Sequence, residues 1–194
     1  PYWIKTNGFV GLHGRSLPVA QGIKLANEDL TVIAFGGDGD GYSEGGNHFI
    51  HACRRNVNIT YVVHNNGVFG LTTGQYSSTS TMGTKSKSSP RGSIEVSFNP
   101  IAVALASGAT FIARVYVGNP SHCVDIMKKA VQHNGFAFVD IIQPCITFGK
   151  NHEYYKDKIY IVDEKYDWSD KSTAFLKALE SDTGKIPCGI IYKK

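Results

Sequence analysis

The sequence is most constrained around a glycine-rich turn, Gly36-Gly37-Asp38-Gly39-Asp40-Gly41, which carries two carboxylates. Before it, Thr31 to Phe35 (TVIAF) is a short β-branched and aromatic run, which predicts a buried strand. After it, Ser43 to Arg55 has the length and spacing of a helix. Ser43 is a candidate cap, and Arg54-Arg55 suits the negative end of the helix dipole. Asn58 to Val63 reads as a second strand and leads to Asn65-Asn66. Together these segments form a βαβ unit of the usual size, roughly 30 residues or a little more. A right-handed crossover brings the two strands beside each other with their carboxyl ends at one sheet edge. Asp38 and Asn66 then stand where open α/β sheets take their ligands.

A carboxylate and an amide oxygen facing one gap are hard ligands, suited to Mg²⁺ or Ca²⁺. Mg²⁺ in particular takes few protein ligands and completes its octahedron with phosphate oxygens. The glycines let backbone N–H groups approach such phosphates, and a following helix start favours their charge. Competing readings fail on spacing. An EF-hand loop needs an acidic or amide residue at Tyr42, Gly at Ser43 and Glu at Phe49. A G-x-G-x-x-G begun at Gly37 needs Gly at Tyr42, and no G-x-x-x-x-G-K-[ST] occurs.

The rest of the chain continues the alternation of helix and strand. Leu17–Leu25, Pro100–Gly108, Ser121–His133 (capped by Ser121) and Lys171–Leu179 read as helices. Phe111–Val117, Phe136–Ile142 and Cys188–Tyr192 read as strands, while residues 150–169 carry no clear pattern. The expectation is one α/β domain spanning 1–194, a doubly wound parallel sheet with helices on both faces. Thr72 to Ser93 is rich in Ser and Thr and reads as a mobile loop or linker. Its departure from the proposed cation site also fits a functional loop that closes over a ligand.

Forty-two per cent hydrophobic and 19% charged residues is a globular composition, and a net charge of +4 without a basic block argues against nucleic acid. No apolar run approaches a membrane span, and nothing resembles a signal peptide. The abrupt start at Pro1-Tyr2-Trp3 is the expected mark of a fragment. The four cysteines lack C-x-x-C spacing; Cys53, Cys123 and Cys188 read as core residues, whereas Cys145 follows Pro144 where a strand ends. His48 and His51 can share a helix face, but with no third ligand nearby they read as packing residues rather than a zinc site.

Gly37-Asp38-Gly39 followed at this distance by Asn65-Asn66 resembles the signature of thiamine diphosphate enzymes. The run Gly70-Leu71-Thr72-Thr73-Gly74-Gln75-Tyr76-Ser77 narrows the match to the thiamine-binding (beta) subunit of 2-oxoacid:ferredoxin oxidoreductases. Leu12-His13-Gly14-Arg15, Gly46 to Ala52 and Gln143-Pro144-Cys145 agree with it, and the likeness thins after about Lys150. The resemblance implies the thiamine diphosphate-binding fold and a Mg²⁺ held by Asp38, Asn66 and the Val68 carbonyl. It places His13, Gly37, Gly39, Asp40, Gly70, Leu71 and Thr72 around the cofactor. On its own His13 reads equally well as a locally hydrogen-bonded loop residue, and Thr73 departs from the Lys or Gly of many relatives.

The implied activity is oxidative decarboxylation of a 2-oxo acid such as pyruvate in the cytoplasm. Electrons leave the thiamine-bound intermediate singly for a [4Fe–4S] cluster and then ferredoxin, and coenzyme A takes the acyl group. Asp38 and Asn66 are anchors, so no catalytic residue is assigned; the activating glutamate comes from a partner, the alpha (pyrimidine-binding) subunit. In the family a Cys after Gln-Pro, here Cys145, is the fourth cluster ligand. The other three lie upstream of anything in this sequence, so an N-terminal cluster-binding segment is expected to be missing or the cluster lost. Two alternatives stay open at this point: a subunit of a non-oxidative thiamine-dependent 2-oxoacid decarboxylase, and a non-catalytic diphosphate-binding module.

Overall fold

The computed structural model of the chain describes residues 4–194; Pro1, Tyr2 and Trp3, and the expectation attached to them, lie outside the described residues. In chain order the elements are α1 (Ser16–Ala26), β1 (Ile33–Gly37), a π-helical turn (Gly39–Glu44), α2 (Gly46–Arg55) and β2 (Thr60–Asn65). A two-stranded hairpin follows, β3 (Val68–Phe69) with β4 (Gln75–Tyr76), then α3 (Pro100–Ala106), β5 (Phe111–Tyr116), α4 (Pro120–Val131) and β6 (Ala137–Ile142). The chain ends with α5 (His152–Lys156), β7 (Ile159–Ile161), α6 (Lys171–Leu179) and β8 (Ile186–Lys193).

Six strands form one sheet in the order β1-β2-β6-β5-β8-β7. β1, β2, β6 and β5 are mutually parallel, as a doubly wound sheet requires. β8 runs antiparallel to β5 and pairs in parallel with β7, so the far edge is a reversed addition. The period-2 alternation of the strands separates two cores. Tyr61, Val63, Ile112 and Phe138 face a large cluster that includes residues of α1, α2, α3 and α6. Val62, Phe111, Ala113 and Val139 face a smaller one closed by Ile126 and Ala130 of α4.

Three expectations are corrected. The TVIAF run is not a buried strand: β1 sits at the sheet edge with only Ala34 buried, and Ile33 and Phe35 are 37% and 48% exposed. Ser43 does not cap α2, because the chain from Gly39 to Glu44 winds into a wider turn and the helix starts behind Gly45. The Ser43 hydroxyl instead accepts the N–H of Ser78 at 3.1 Å. Ser121 does not cap α4; Asn119 does, its side-chain oxygen accepting the N–H of His122 ahead of a proline at the first helical position. The Arg54-Arg55 end behaves as expected, closed by Asn56 in the left-handed region at φ 52°.

One polar row crosses the apolar sheet. Asp140, fully buried in the middle of β6, accepts from Arg114 Nε of β5 at 2.8 Å, from Tyr42 Oη at 3.0 Å and from Asn65 Nδ2 of β2 at 3.1 Å. Arg114 Nη1 continues to the Ser181 hydroxyl at 2.7 Å. Each buried charge is thus paired and hydrogen-bonded, the condition under which such groups are tolerated. Asp140→Ala, which strands the Arg114 guanidinium, is expected to cost roughly 3–5 kcal/mol. Urea denaturation of the variant against the wild type measures it.

Candidate functional site

The site begins where β1 and β2 end. Their pairing runs from Ile33 opposite Thr60 to Gly37 opposite His64, and β2 continues one residue further, so Asp38, just past β1, and Asn66, just past β2, emerge at the same edge. The Asn66 N–H donates to Asp38 Oδ1 at 3.3 Å, and the Asn66 side-chain oxygen accepts from the Val68 N–H at 3.0 Å. The two residues singled out from spacing therefore meet, with Val68 beside them. β6 lies next to β2 and brings its own carboxyl end: the Gln143 N–H donates to the Asn65 carbonyl at 2.9 Å, and His64 Nδ1 lies 2.5 Å from Gln143 Oε1.

Glycine is required at the turn by close approach. A Cβ on Gly39 would collide with the Phe69 ring, and one on Gly41 with the Tyr61 hydroxyl. The turn is also tied to the loop before α1, since Asp40 Oδ1 accepts the Gly14 N–H at 2.5 Å and lies 4.0 Å from His13 Nε2. His13 itself is more than half exposed, with its ring 6.1 Å from that of Phe69. Asp40 thus organises the His13-Gly14 loop.

Gly70 lies over the gap: a methyl group there would sit 4.0 Å from both Asn66 Nδ2 and Cys145 Sγ. That places Cys145 at the rim of the same site. Thr72 turns its hydroxyl onto Gln75 Oε1 at 2.6 Å, and Leu71 is almost completely exposed. Thr73 has φ 78°, in the region that favours glycine. His48 Nε2 meets Arg15 Nη1 at 3.1 Å.

The Ser/Thr-rich segment departs from its expected character. Rather than a detached linker, its first turn is pinned to the site, with Ser77 and Ser80 buried. The Ser77 hydroxyl donates to Asp38 Oδ2, and Thr79 Oγ1 lies 2.8 Å from that oxygen and 2.8 Å from Asn65 Oδ1. Ser80 Oγ donates to the Gly67 carbonyl at 2.5 Å. Sequence reasoning missed Ser77 and Thr79. The available signal was a buried carboxylate in need of donors and a run of hydroxyls a hairpin away.

Asp38 is 1% exposed, and burial raises its carboxyl above the usual carboxylate range; the Ser77 and Thr79 hydroxyls and the Asn66 N–H pull it back. Among the described residues, no three His, Cys, Asp or Glu side chains gather as a metal cage. A cation here would rest on the oxygen set of Asp38, Asn66 and the Val68 carbonyl. Sparse all-oxygen donor sets of that kind suit a hard divalent ion that also binds phosphate.

Residues 1–141 match the family model "Thiamine pyrophosphate enzyme, C-terminal TPP binding domain". Residues 145–194 match the family model for the C-terminal part of the pyruvate ferredoxin oxidoreductase beta subunit. The chain is 46% identical to the 2-oxoacid:ferredoxin oxidoreductase subunit beta of Saccharolobus solfataricus over 208 aligned positions, covering 100% of this chain and 68% of the relative. It belongs to this beta-subunit family. A 2-oxoglutarate oxidoreductase subunit KorB of Mycobacterium tuberculosis is 47% identical over 148 residues, which is 76% of this chain and 40% of the relative. A 2-oxoglutarate:ferredoxin oxidoreductase structure from Magnetococcus marinus, with 2-oxoglutarate, coenzyme A and succinyl-CoA bound, superposes with a TM-score of 0.90 at 43% identity, covering 94% of this chain and 63% of that one. The chain thus spans about two thirds or less of the length of such relatives. The likeness does reach the end of the chain, because the second family model runs to Lys194 and takes in α5, β7, α6 and β8, while the KorB relative covers only 76% of it.

This beta subunit separates its four free thiols by environment. Burial pushes Cys53 and Cys188 up to about 12, whereas Cys145 is partly exposed. Iodoacetamide at pH 8 is expected to label Cys145 in the folded, iron-free protein and to reach Cys53 and Cys188 only in urea. Mass spectrometry of the tryptic peptides reads this directly.

Proposed function

We propose that this chain is the thiamine diphosphate- and Mg²⁺-binding part of a 2-oxoacid:ferredoxin oxidoreductase beta subunit. The observation that carries the proposal is the meeting of Asp38 and Asn66 at the ends of two paired strands in a chain of this family. Asp38, the Asn66 side-chain oxygen and the Val68 carbonyl hold the cation. Gly37, Gly39, Gly70, Leu71 and Thr72 line the diphosphate, while His13 and Asp40 border it from the α1 side. Bound there, thiamine diphosphate supplies the carbanion chemistry of 2-oxo acid decarboxylation, and the protein supplies binding, orientation and electrostatics.

Three further assignments go with this reading. Cys145, at the rim of the site, is one thiolate of a [4Fe–4S] cluster whose other ligands come from outside the described residues. The site is covered by an alpha subunit; the large exposure of Leu12 (82%), Leu71 (99%) and Ile146 (81%) beside His13, Gly70 and Cys145 favours such a partner. Coenzyme A and ferredoxin are the acyl and electron acceptors, in keeping with the names of the relatives and the ligands of the Magnetococcus marinus structure. None of the helices in the described residues is long and apolar enough to cross a membrane, and free cysteines suit the cytoplasm.

Asp38→Ala in the full-length subunit with its partner is expected to weaken Mg²⁺-dependent thiamine diphosphate binding by more than about 100-fold, since it deletes the anionic ligand. Calorimetric titration checks this, and unchanged affinity removes the metal site. Chelation by EDTA is expected to release the cofactor and added Mg²⁺ to restore it. Iron content and visible absorbance of the same complex test the cluster. An active, iron-free complex overturns the oxidative assignment in favour of non-oxidative decarboxylation.

A further inference from the structure

Behind the Asp38 carboxylate stands a polar row that the cation site alone does not explain. Asp38 Oδ2 faces two hydroxyls, those of Ser77 and Thr79, while Oδ1 faces only the Asn66 N–H. Ser77 donates to Oδ2 and Thr79 shares its proton with it, so Oδ2 is the more heavily loaded oxygen and Oδ1, with the Asn66 N–H, keeps acceptor room for a ligand. The hydroxyls therefore decide which oxygen is left for a ligand.

Thr79 is itself held. Its single proton lies between Asp38 Oδ2 and Asn65 Oδ1, both 2.8 Å away. Asn65 cannot rotate its amide freely, because its Nδ2 is needed by Asp140, which accepts it at 3.1 Å. Asp140 is in turn fixed by Arg114. Asn65 is buried at the end of β2, and Thr79 enters from the segment after the hairpin, anchored through its carbonyl by Ser97 Oγ at 3.0 Å. The sheet centre thus sets the Asn65 side-chain carbonyl, the Thr79 hydroxyl divides its one proton between that carbonyl and Asp38 Oδ2, and Ser77 with Thr79 orients the carboxylate.

We infer that Ser77 and Thr79 are positioning residues for the cation ligand Asp38, with Asn65 and Asp140 as their support. The inference rests on the Mg²⁺ reading of Asp38 above. It assigns part of the Ser/Thr-rich segment to the metal site rather than to a lid alone. Such partners orient metal ligands, and losing one typically costs 10–100-fold in metal affinity.

The test uses the full-length subunit assembled with its partner, titrated with Mg²⁺ at saturating thiamine diphosphate and followed by calorimetry. The electron paramagnetic resonance spectrum of Mn²⁺ in place of Mg²⁺ reports ligand symmetry. Ser77→Ala and Thr79→Val are each expected to raise the half-saturating Mg²⁺ concentration about 10–100-fold and to change the Mn²⁺ line shape. Thr79→Ser, which keeps the hydroxyl, is expected to stay within about three-fold of wild type, well short of that loss. If Thr79→Val does not assemble, Ser77→Ala, which deletes a single oxygen, decides the matter. Mg²⁺-dependent binding by wild type with unchanged affinity in Ser77→Ala overturns the positioning inference alone. A Thr79→Ser variant as weak as Thr79→Val does the same. Wild-type binding that ignores Mg²⁺ overturns the metal reading and this inference with it.

Discussion

A carboxylate held almost entirely out of water governs the arrangement of this molecule. Asp38 is 1% exposed at the end of β1, and an ionised group there must be met by donors or a cation. Its surroundings are organised to do so. The neighbouring strand delivers an N–H from Asn66, the segment after the hairpin delivers two hydroxyls, and the glycines on either side leave room for close approach. Burial raises the carboxyl, while these donors oppose it.

The sheet makes this geometry possible. β1 and β2 end at one edge because they are parallel neighbours, and β6 joins them there with Gln143 and Cys145. A polar row runs from the site into the apolar interior through Asn65, Asp140 and Arg114 to Ser181, beyond α6. In a low-dielectric interior such a row is stable only if every member is paired, and a fully paired row holds its members in one arrangement. The surroundings of Asp38 and the sheet centre are therefore one connected structure.

Much of this is legible in the sequence, and the exceptions share a physical cause. The βαβ unit, the meeting of Asp38 with Asn66 and the helix at Lys171–Leu179 follow from local periodicity and spacing. The exposure of β1 is not legible, because a short apolar run carries no record of whether a strand is central or at an edge. Ser43 and Ser121 mislead as caps because several polar residues near a helix start compete, and the backbone path chooses among them. Residues 150–169 hide α5 and β7, which are short, and β7 depends on pairing with β8, a strand distant in sequence.

The sequence by itself determined the type of sheet, the place of the glycine turn and the meeting of Asp38 with Asn66 beside it. Those depend on residue identity and on spacing between near neighbours along the chain. Only the tertiary structure decided that Ser77 and Thr79 belong to Asp38, that Asn65 answers to Asp140, and that Cys145 stands beside Gly70. Each of these contacts joins segments brought together by the sheet, and a hydroxyl or a thiol carries no local mark of the partner that folding will give it.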